Sequence, residues 1–193
     1  SHGGSADRKA LARRKARANL GRHFRDSTSY HQSVIIETTR GVTPARRANL
    51  RRLLAPRHIV FAGGDSAVFA AGQCAAGDFK GEIWGLNPQP GRFGAIPSYT
   101  SVAELPEAPD AVFLAVPRQR VPPVIKELRE KGAGGIVCYS AGFGELGDDG
   151  VHLEQELIDA CGDMALAGPN VFGLLNYITG AHLWPFSHGG TPV

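Results

Sequence analysis

Small residues follow two apolar runs of this sequence at points where a ligand can approach the backbone. Ser140, Ala141, Gly142 and Phe143 come after the run at residues 135–139, and a Gly-Pro-Asn turn ending at Asn170 comes after the run at residues 164–167. Both runs are predicted parallel strands, and open α/β sheets bind ligands beyond the carboxyl ends of such strands. The sequence therefore predicts a site for a nucleotide-like ligand at these strand ends.

A glycine pair precedes the first helix that follows a strand. Gly63 and Gly64 come after the apolar run at residues 58–62, and Ser66 can cap the helix that begins there. Adjacent glycines let backbone N–H groups approach a phosphate, and the helix dipole favours the anion. Asp65 is unfavourable beside a pyrophosphate, and it can instead cap the helix or bind a ribose hydroxyl. The full G-x-G-x-x-G pattern is absent, and a strand-to-helix turn also needs glycine for structural reasons.

The end of the second predicted strand bears on which nucleotide would bind. Asn87 and Pro88 stand where a dinucleotide-binding fold usually carries an acidic residue for the ribose 2′-hydroxyl. Because no acid is present at this strand end, the pattern argues against NAD. Arg92 follows in a loop, where it can pair with a phosphate in a bidentate way or lie in solvent.

Strands and helices alternate from residue 45 onward. The pattern predicts a Rossmann-like, doubly wound α/β fold with a mostly parallel sheet of five strands, or slightly more, and helices on both faces. Residues 89–100 read as a loop rich in Gly and Pro. The predicted strands are residues 58–62, 81–86, 110–116, 135–139 and 164–167, and the predicted helices include residues 45–54, 66–76, 101–105, 121–128 and 153–161.

Composition and cysteine usage narrow the class of protein. The chain has 193 residues, of which 42% are hydrophobic and 20% charged, as expected of one globular core. No apolar run is long enough to span a membrane, and no signal-peptide pattern is present. Cys74, Cys138 and Cys161 lie in apolar segments without metal-ligand spacing, which predicts reduced core thiols, no metal site and a cytoplasmic location.

Charge is distributed unevenly along the chain. Residues 1–57 hold 14 Lys and Arg against three acidic residues, whereas the remainder holds 7 Lys and Arg against 15 acidic residues. We expect residues 1–44 to be a basic, flexible or partner-docking segment, of which residues 1–5 resemble a cloning remnant. A helix is predicted over residues 6–20, and nucleic-acid binding is disfavoured because no aromatic pattern is interleaved.

Two other features suggest chemistry but favour a simpler interpretation. Ser140 lacks the Gly-x-Ser-x-Gly elbow of a hydrolase, so it is predicted to bind a ligand. His188, in a Ser-His-Gly-Gly stretch, lies in a segment at residues 179–193 that reads as a truncated interdomain linker. We therefore predict no catalytic residue in this chain.

Seven short signals nevertheless occur in an order that resembles a known family. They are Pro56-Arg57, Gly63 after its strand, Asn87-Pro88, residues 101–106, Ala115-Val116-Pro117, Ser140 to Phe143, and the Gly-Pro-Asn turn with residues 173–176. This order is similar to the N-terminal CoA-binding domain of NDP-forming acyl-CoA synthetases, with the succinyl-CoA synthetase α-subunit as a more distant relative. The resemblance covers about residues 50–178.

The resemblance implies that coenzyme A, or an acyl-CoA, lies across the strand ends without being tightly bound. Residues of the first turn would approach the pyrophosphate, the second strand end would hold the adenosine, Val116 and Pro117 would line the pantetheine, and the last two strand ends would surround the thiol. The implied cofactor-binding residues are Gly63, Gly64, Asp65, Ser66, Ala67, Asn87, Pro88, Arg92, Val116, Pro117, Ser140, Ala141, Gly142, Phe143 and Asn170.

The resemblance also implies a division of labour with parts outside this chain. The family's phosphohistidine and nucleotide-grasp domains have no counterpart here, so residues 45–178 are predicted to be a ligase fragment that alone is inactive. The first loop is shorter than the family's and carries Asp65. Two alternatives stay open: a fragment of an NAD(P)-binding oxidoreductase, and a degenerate CoA-sensing regulatory module.

Overall fold

A computed structural model of the protein describes residues 42–190. Four helices and eight strands alternate along this part of the chain, and three single-turn 3-10 helices lie in the connections. The helices are α1 (Pro44–Leu54), α2 (Asp65–Ala76), α3 (Val121–Lys131) and α4 (Asp148–Cys161), and the strands are β1 (His58–Gly63), β2 (Glu82–Leu86), β3 (Ser98–Tyr99), β4 (Ala111–Ala115), β5 (Gly135–Cys138), β6 (Ala165–Ala167), β7 (Leu174–Leu175) and β8 (His182–Leu183).

Six of the strands form one parallel sheet in the order β3-β2-β1-β4-β5-β6. This is the strand order of a doubly wound Rossmann-type sheet, so the predicted fold class is confirmed. The five predicted strands are all present. The sixth, β3, lies in the segment predicted as a loop, since its two residues are too few to show a strand pattern.

The core lies on both faces of the sheet because successive strand residues point to opposite sides. On one face, Val60 and Val112 pack with the apolar residues of α3 and α4. On the other face, Phe61 and Phe113 pack with the small residues of α2 and with Leu53 of α1. Burial on both sides explains why the central strands are continuous apolar runs.

Local sequence signals set the limits of the helices. Thr43 accepts a hydrogen bond from the backbone N–H of Arg46 at 3.1 Å, and thereby caps α1. Helix α3 ends at Gly132, which has the left-handed conformation with φ of 91°. The predicted apolar face of α3 is buried as expected; its members are Val121, Val124, Ile125 and Leu128.

A buried carboxylate ties α1 to the amino-terminal edge of the sheet. Asp110 is 2% exposed and accepts hydrogen bonds from Arg52 Nε at 2.7 Å and from the backbone N–H of Arg57 at 2.9 Å. The Arg57 guanidinium lies 3.1 Å from the same carboxyl group. Burial would raise the pKa of Asp110, but these hydrogen bonds together lower it below its usual value.

The packed chain continues past residue 178, the end of the predicted ligand-binding domain. Strands β7 and β8 form an antiparallel pair, and Ala181, His182 and Leu183 are buried against α2. From Thr43 onward the chain forms one compact unit. That a further domain follows stays a prediction, and the helix predicted at residues 6–20 lies outside the described residues.

The cysteines and the helices of the described residues give two further findings. Cys74, Cys138 and Cys161 are all buried and free of disulfide bonds. Within residues 42–190, no helix has the length and apolar character needed to cross a bilayer.

Candidate functional site at the carboxyl edge of the sheet

Two cavities open at the carboxyl ends of the central strands. The larger has a volume of about 590 Å³ and the smaller about 310 Å³, and Val116 lines both. The larger is lined by Ala62, Gly63, Gly64, Leu86, Asn87, Pro88, Thr100, Ser101, Val102, Val116, Pro117, Arg120, Val124 and Glu127. The smaller is lined by Ser66, Ala115, Val116, Tyr139, Ser140, Ala141, Asn170, Val171 and Phe172.

The turn between β1 and α2 requires glycine at its first position. Gly63 has φ of 135°, and a Cβ there would collide with the carbonyl oxygen of Ala115 on the neighbouring strand. Gly64 is the N-cap of α2, and space around it is open. Backbone N–H groups in the first turn of a helix have no intrahelical partner, so this turn can receive an anion. Both glycines line the larger cavity.

Asp65 and Arg92 form an ion pair between α2 and the loop after β2. The Asp65 side chain is 96% exposed and the Arg92 side chain 36% exposed. Arg92 also contacts the amide oxygen of Gln89 at 3.4 Å. A phosphate bound at the turn would have to share Arg92 with this carboxylate.

Asn87 holds two loops of the site together. Its Nδ2 donates to the carbonyl oxygen of Gly63 at 2.7 Å, and its Oδ1 accepts from the backbone N–H of Gln89 at 2.8 Å. The side chain thus fixes the β1–α2 turn relative to the end of β2, while Pro88 lines the larger cavity beside it.

The smaller cavity is built from the ends of β4, β5 and β6. Ser140 is 8% exposed, and its hydroxyl donates to the carbonyl oxygen of Val116 at 2.6 Å. The backbone N–H of Asn170, a residue with φ of 55°, donates to the carbonyl oxygen of Ser140 at 3.0 Å. Because a carbonyl oxygen holds the Ser140 proton, this geometry suits a ligand-lining residue better than a nucleophile activated by a base.

Five of the sequence-predicted residues line neither cavity: Asp65 and Arg92, which form the ion pair described above, and Ala67, Gly142 and Phe143. Ala67 and Phe143 are fully buried in the core. Gly142 has φ of 97°, and its carbonyl oxygen accepts a hydrogen bond from Arg118 Nη1 at 2.9 Å. Gly142 and Phe143 belong to the loop after β5, whereas Ala67 lies in α2. The Arg118 bond joins the loop after β4 to the loop after β5.

The structure adds lining residues that the sequence pattern did not single out. Arg120 lies just before α3 and brings a cation to the larger cavity, while Thr100 and Ser101 bring hydroxyl groups from the end of β3. Tyr139 and Phe172 bring aromatic rings to the smaller cavity. A basic residue at the start of a helix that follows a strand was the available signal for Arg120.

Burial sets the protonation state of the thiol nearest the smaller cavity. Burial raises the pKa of the Cys138 thiol to about 12, so the group stays protonated near neutral pH. Across residues 42–190, no cluster of three or more His, Cys, Asp or Glu side chains is arranged to hold a metal ion.

Known proteins with similar sequences include a CoA synthase and CoA ligases. The chain is 36% identical over 134 residues to a trans-feruloyl-CoA synthase of an unknown prokaryotic organism, covering 66% of this chain and 19% of that protein. It is 36% identical over 101 residues to an ADP-forming acetate–CoA ligase of Archaeoglobus fulgidus, covering 51% of this chain and 15% of the ligase. The chain therefore spans about a fifth or less of the length of these relatives.

Solved structures agree with the sequence relatives. A dinucleotide-forming acetyl-coenzyme A synthetase of Candidatus Korarchaeum cryptofilum superposes with a TM-score of 0.60 at 27% identity, over 64% of this chain and 28% of that chain. A protein of Pyrococcus horikoshii superposes with a TM-score of 0.66 at 25% identity, over 72% of this chain and 33% of that chain.

The fold and the site define a Rossmann-like domain with a ligand-binding edge at the carboxyl ends of its strands. Residues 65–172, more than half of the chain, match the profile of the CoA-binding domain family. The chain belongs to this family, and it is homologous to the CoA-binding domains of ADP-forming acyl-CoA synthetases. The resemblance inferred from the sequence is thereby confirmed.

Proposed function

We propose that this domain binds coenzyme A along the carboxyl edge of its sheet and positions the CoA thiol for attack on an acyl phosphate supplied by other domains of a synthetase. The observation that carries this proposal is the pair of adjoining cavities that share Val116. Coenzyme A is a long ligand with a bulky nucleotide at one end and a slender pantetheine arm at the other. The larger cavity suits the nucleotide, and the smaller cavity suits the thiol end.

Each part of the ligand has a chemical counterpart in the site. The apolar side chains of Leu86 and Val102 offer faces for an adenine. The Thr100 hydroxyl donates to the Glu104 carboxylate at 2.9 Å, and its oxygen can accept a hydrogen bond from the ribose. The Gly63–Gly64 turn offers backbone N–H groups to the pyrophosphate. Two exposed arginines at the carboxyl edge of the sheet, Arg120 and Arg92, supply positive charge that attracts the phosphates.

The remaining site residues surround the reacting end. Val116 and Pro117 lead from the larger cavity to the smaller one, where Ser140, Ala141 and Asn170 lie. There the thiolate would attack the carbonyl carbon of the acyl phosphate, forming the C–S bond and breaking the C–O bond to the departing phosphate. Backbone N–H groups near Ala141 would stabilise the oxyanion that develops, because the Asn170 N–H already donates to the Ser140 carbonyl oxygen. The acyl phosphate and its phosphorylation chemistry belong to parts outside this chain.

Calorimetric titration of the chain with CoA tests the proposal, and a separate titration with NADH is the control. We expect CoA to bind with a micromolar dissociation constant, and NADH not to bind. An Arg120→Ala variant should weaken CoA binding about tenfold, because it removes a cation from the larger cavity. Lys126→Ala removes a cation from α3 outside both cavities, and it serves as the matched control.

An oxidoreductase fragment predicts a different titration. NADH binding without CoA binding would replace the proposal with an oxidoreductase fragment. CoA binding that is insensitive to Arg120→Ala would remove the nucleotide from the larger cavity, although the chain would remain a CoA-binding domain.

A further inference from the structure

Four aromatic side chains form a continuous group at the edge of the smaller cavity. This group, the aromatic rim, consists of Tyr139, Phe172, Trp184 and Phe186. Phe186 lies at its centre, with ring centroids 6.4 Å from Tyr139, 5.9 Å from Phe172 and 5.8 Å from Trp184. The side of the rim away from the core is open, since Phe172 is 65% exposed and Phe186 is 42% exposed.

The rim and the smaller cavity are one surface. Tyr139 and Phe172 belong to the rim and also line the cavity. None of the described residues that line this cavity is charged, and the Ser140 hydroxyl is already bonded to the carbonyl oxygen of Val116. Its walls are therefore largely aromatic and aliphatic, and the other polar groups among the lining side chains belong to Ser66, Asn170 and the Tyr139 hydroxyl.

We propose that the smaller cavity receives the acyl group of a CoA thioester and that the aromatic rim selects flat, apolar acyl groups, aromatic ones above all. This inference rests on the proposed function, which directs the thiol end of coenzyme A to the same cavity. An aryl ring stacked on Phe172 and Tyr139 gains buried area and favourable ring geometry. An acyl group with a free carboxylate would be desolvated there without a cationic partner among the described lining residues.

Continuity with the ligand cavity is the reason to assign the rim to the acyl group and not to a protein partner. An exposed aromatic patch of this kind also marks protein contacts in general. Here, however, two of its four rings line the cavity, so a ligand that fills the cavity contacts them.

The test compares four ligands on the full chain by calorimetry: CoA, acetyl-CoA, benzoyl-CoA and succinyl-CoA. We expect benzoyl-CoA to bind about tenfold more tightly than acetyl-CoA, the ratio expected of one well-placed aromatic contact. Succinyl-CoA should bind no more tightly than acetyl-CoA. The Phe172→Ala variant should lose the preference for benzoyl-CoA, so that the ratio of its dissociation constants for acetyl-CoA and benzoyl-CoA falls to within about twofold of one.

Phe69→Ala is the matched control, because Phe69 is an exposed phenylalanine of α2 that lines neither cavity. It should leave all four affinities unchanged. Thermal unfolding of both variants checks the fold, and sedimentation analysis at the titration concentration reports self-association.

The outcomes separate this inference from the proposed function. Equal affinities for all four ligands would overturn the acyl selectivity and leave CoA binding in place. Absence of binding by any of them would overturn both proposals. A change of oligomeric state in Phe172→Ala, with the acyl preference intact, would assign the rim to contact between copies and overturn the inference.

Discussion

Single residues at the carboxyl edge of the sheet hold the loops of the candidate site together. Asn87 uses both ends of its amide to join two loops, and the Ser140 hydroxyl bridges the ends of β4 and β5. Gly63 is set by its neighbour strand, because only a residue without a Cβ fits against Ala115. Substitutions at these positions therefore report on the loops of the site as well as on ligand contacts.

Two glycine substitutions should change stability in opposite directions. Gly63→Ala should lower the free energy of unfolding by roughly 3 kcal/mol or more, because a Cβ there meets the Ala115 carbonyl at a φ that favours glycine. Gly72→Ala should raise it by about 0.5–1 kcal/mol, because Gly72 lies inside α2 with open space around it. Urea denaturation measures both, and a stable Gly63→Ala protein would contradict the described pairing of β1 with β4.

Replacing the carboxylate at the start of α2 should strengthen ligand binding. Asp65→Asn removes a negative charge near the expected pyrophosphate and releases Arg92 from its ion pair. We expect CoA to bind about fivefold more tightly at low salt, and the gain to shrink at high salt because the site is exposed. Asp78→Asn, at another exposed acid, is the control. Weaker binding by Asp65→Asn would indicate that Asp65 bonds a ligand hydroxyl instead.

Elements are held in place at both edges of the sheet by different means. At the carboxyl edge, loops are joined by hydrogen bonds through Asn87, Ser140 and Arg118. At the amino-terminal edge, α1 and β1 are attached to β4 by the arginine pair around Asp110. The second arrangement places a charged group in the interior, and it therefore makes stability depend on pH.

Stability should fall in acid because the Asp110 carboxyl has a lowered pKa in the folded protein. Its contribution is complete above the unfolded value of about 4 and is lost as the pH falls through the lower folded value. Asp110→Asn should lower the free energy of unfolding by about 2–4 kcal/mol at pH 7. This loss is smaller than that usual for breaking a fully buried ion pair, because both arginine side chains are in part exposed to solvent.

Urea denaturation of both proteins between pH 3 and pH 7 tests this expectation. The difference in stability between wild type and Asp110→Asn should narrow as the pH falls below about 4. A difference that stays constant with pH would show that packing, and not the charge of Asp110, accounts for the loss.

The whole molecule joins a compact domain to a strongly basic segment. Residues 1–42 carry nine Lys and Arg against three acidic residues. The compact unit begins at Thr43, and both cavities lie within it. The cavities and the basic segment therefore lie in different parts of the chain and can be separated by truncation.

A fragment of residues 43–193 should unfold cooperatively and retain CoA binding. At high salt its dissociation constant should match that of the full chain. At low salt we expect it to bind about threefold more weakly, because the positive charge that attracts an anionic ligand has been removed. Calorimetry over a salt series measures this. Loss of CoA binding at every salt concentration would show that residues 1–42 contribute to the site.

Strands and amphipathic helices could be predicted because their signals are local. The apolar run that became β1 is buried on both faces, and the spacing of Val121 to Leu128 matches one helix face, so neither prediction needed knowledge of a neighbour. Strand β3 was not predicted from the sequence, because its two residues take their extended conformation from pairing with β2. The packing of β8 against α2 was not predicted either, since it depends on the surface of a helix that is far away in the sequence.

The amino-acid sequence by itself determined the α/β class, the strand runs and the edge of the sheet where the ligand is expected, because apolar periodicity and glycine placement act over a few residues. The family came from the sequence in another way, through the resemblance carried by seven short signals in a fixed order. Only the tertiary structure decided which side chains line the cavities: it paired Arg92 with Asp65, buried Phe143, and brought Arg120 and Phe172 to the site. These contacts join residues that are far apart in the sequence. The distances between them depend on the order of the strands in the sheet and on the packing of the loops.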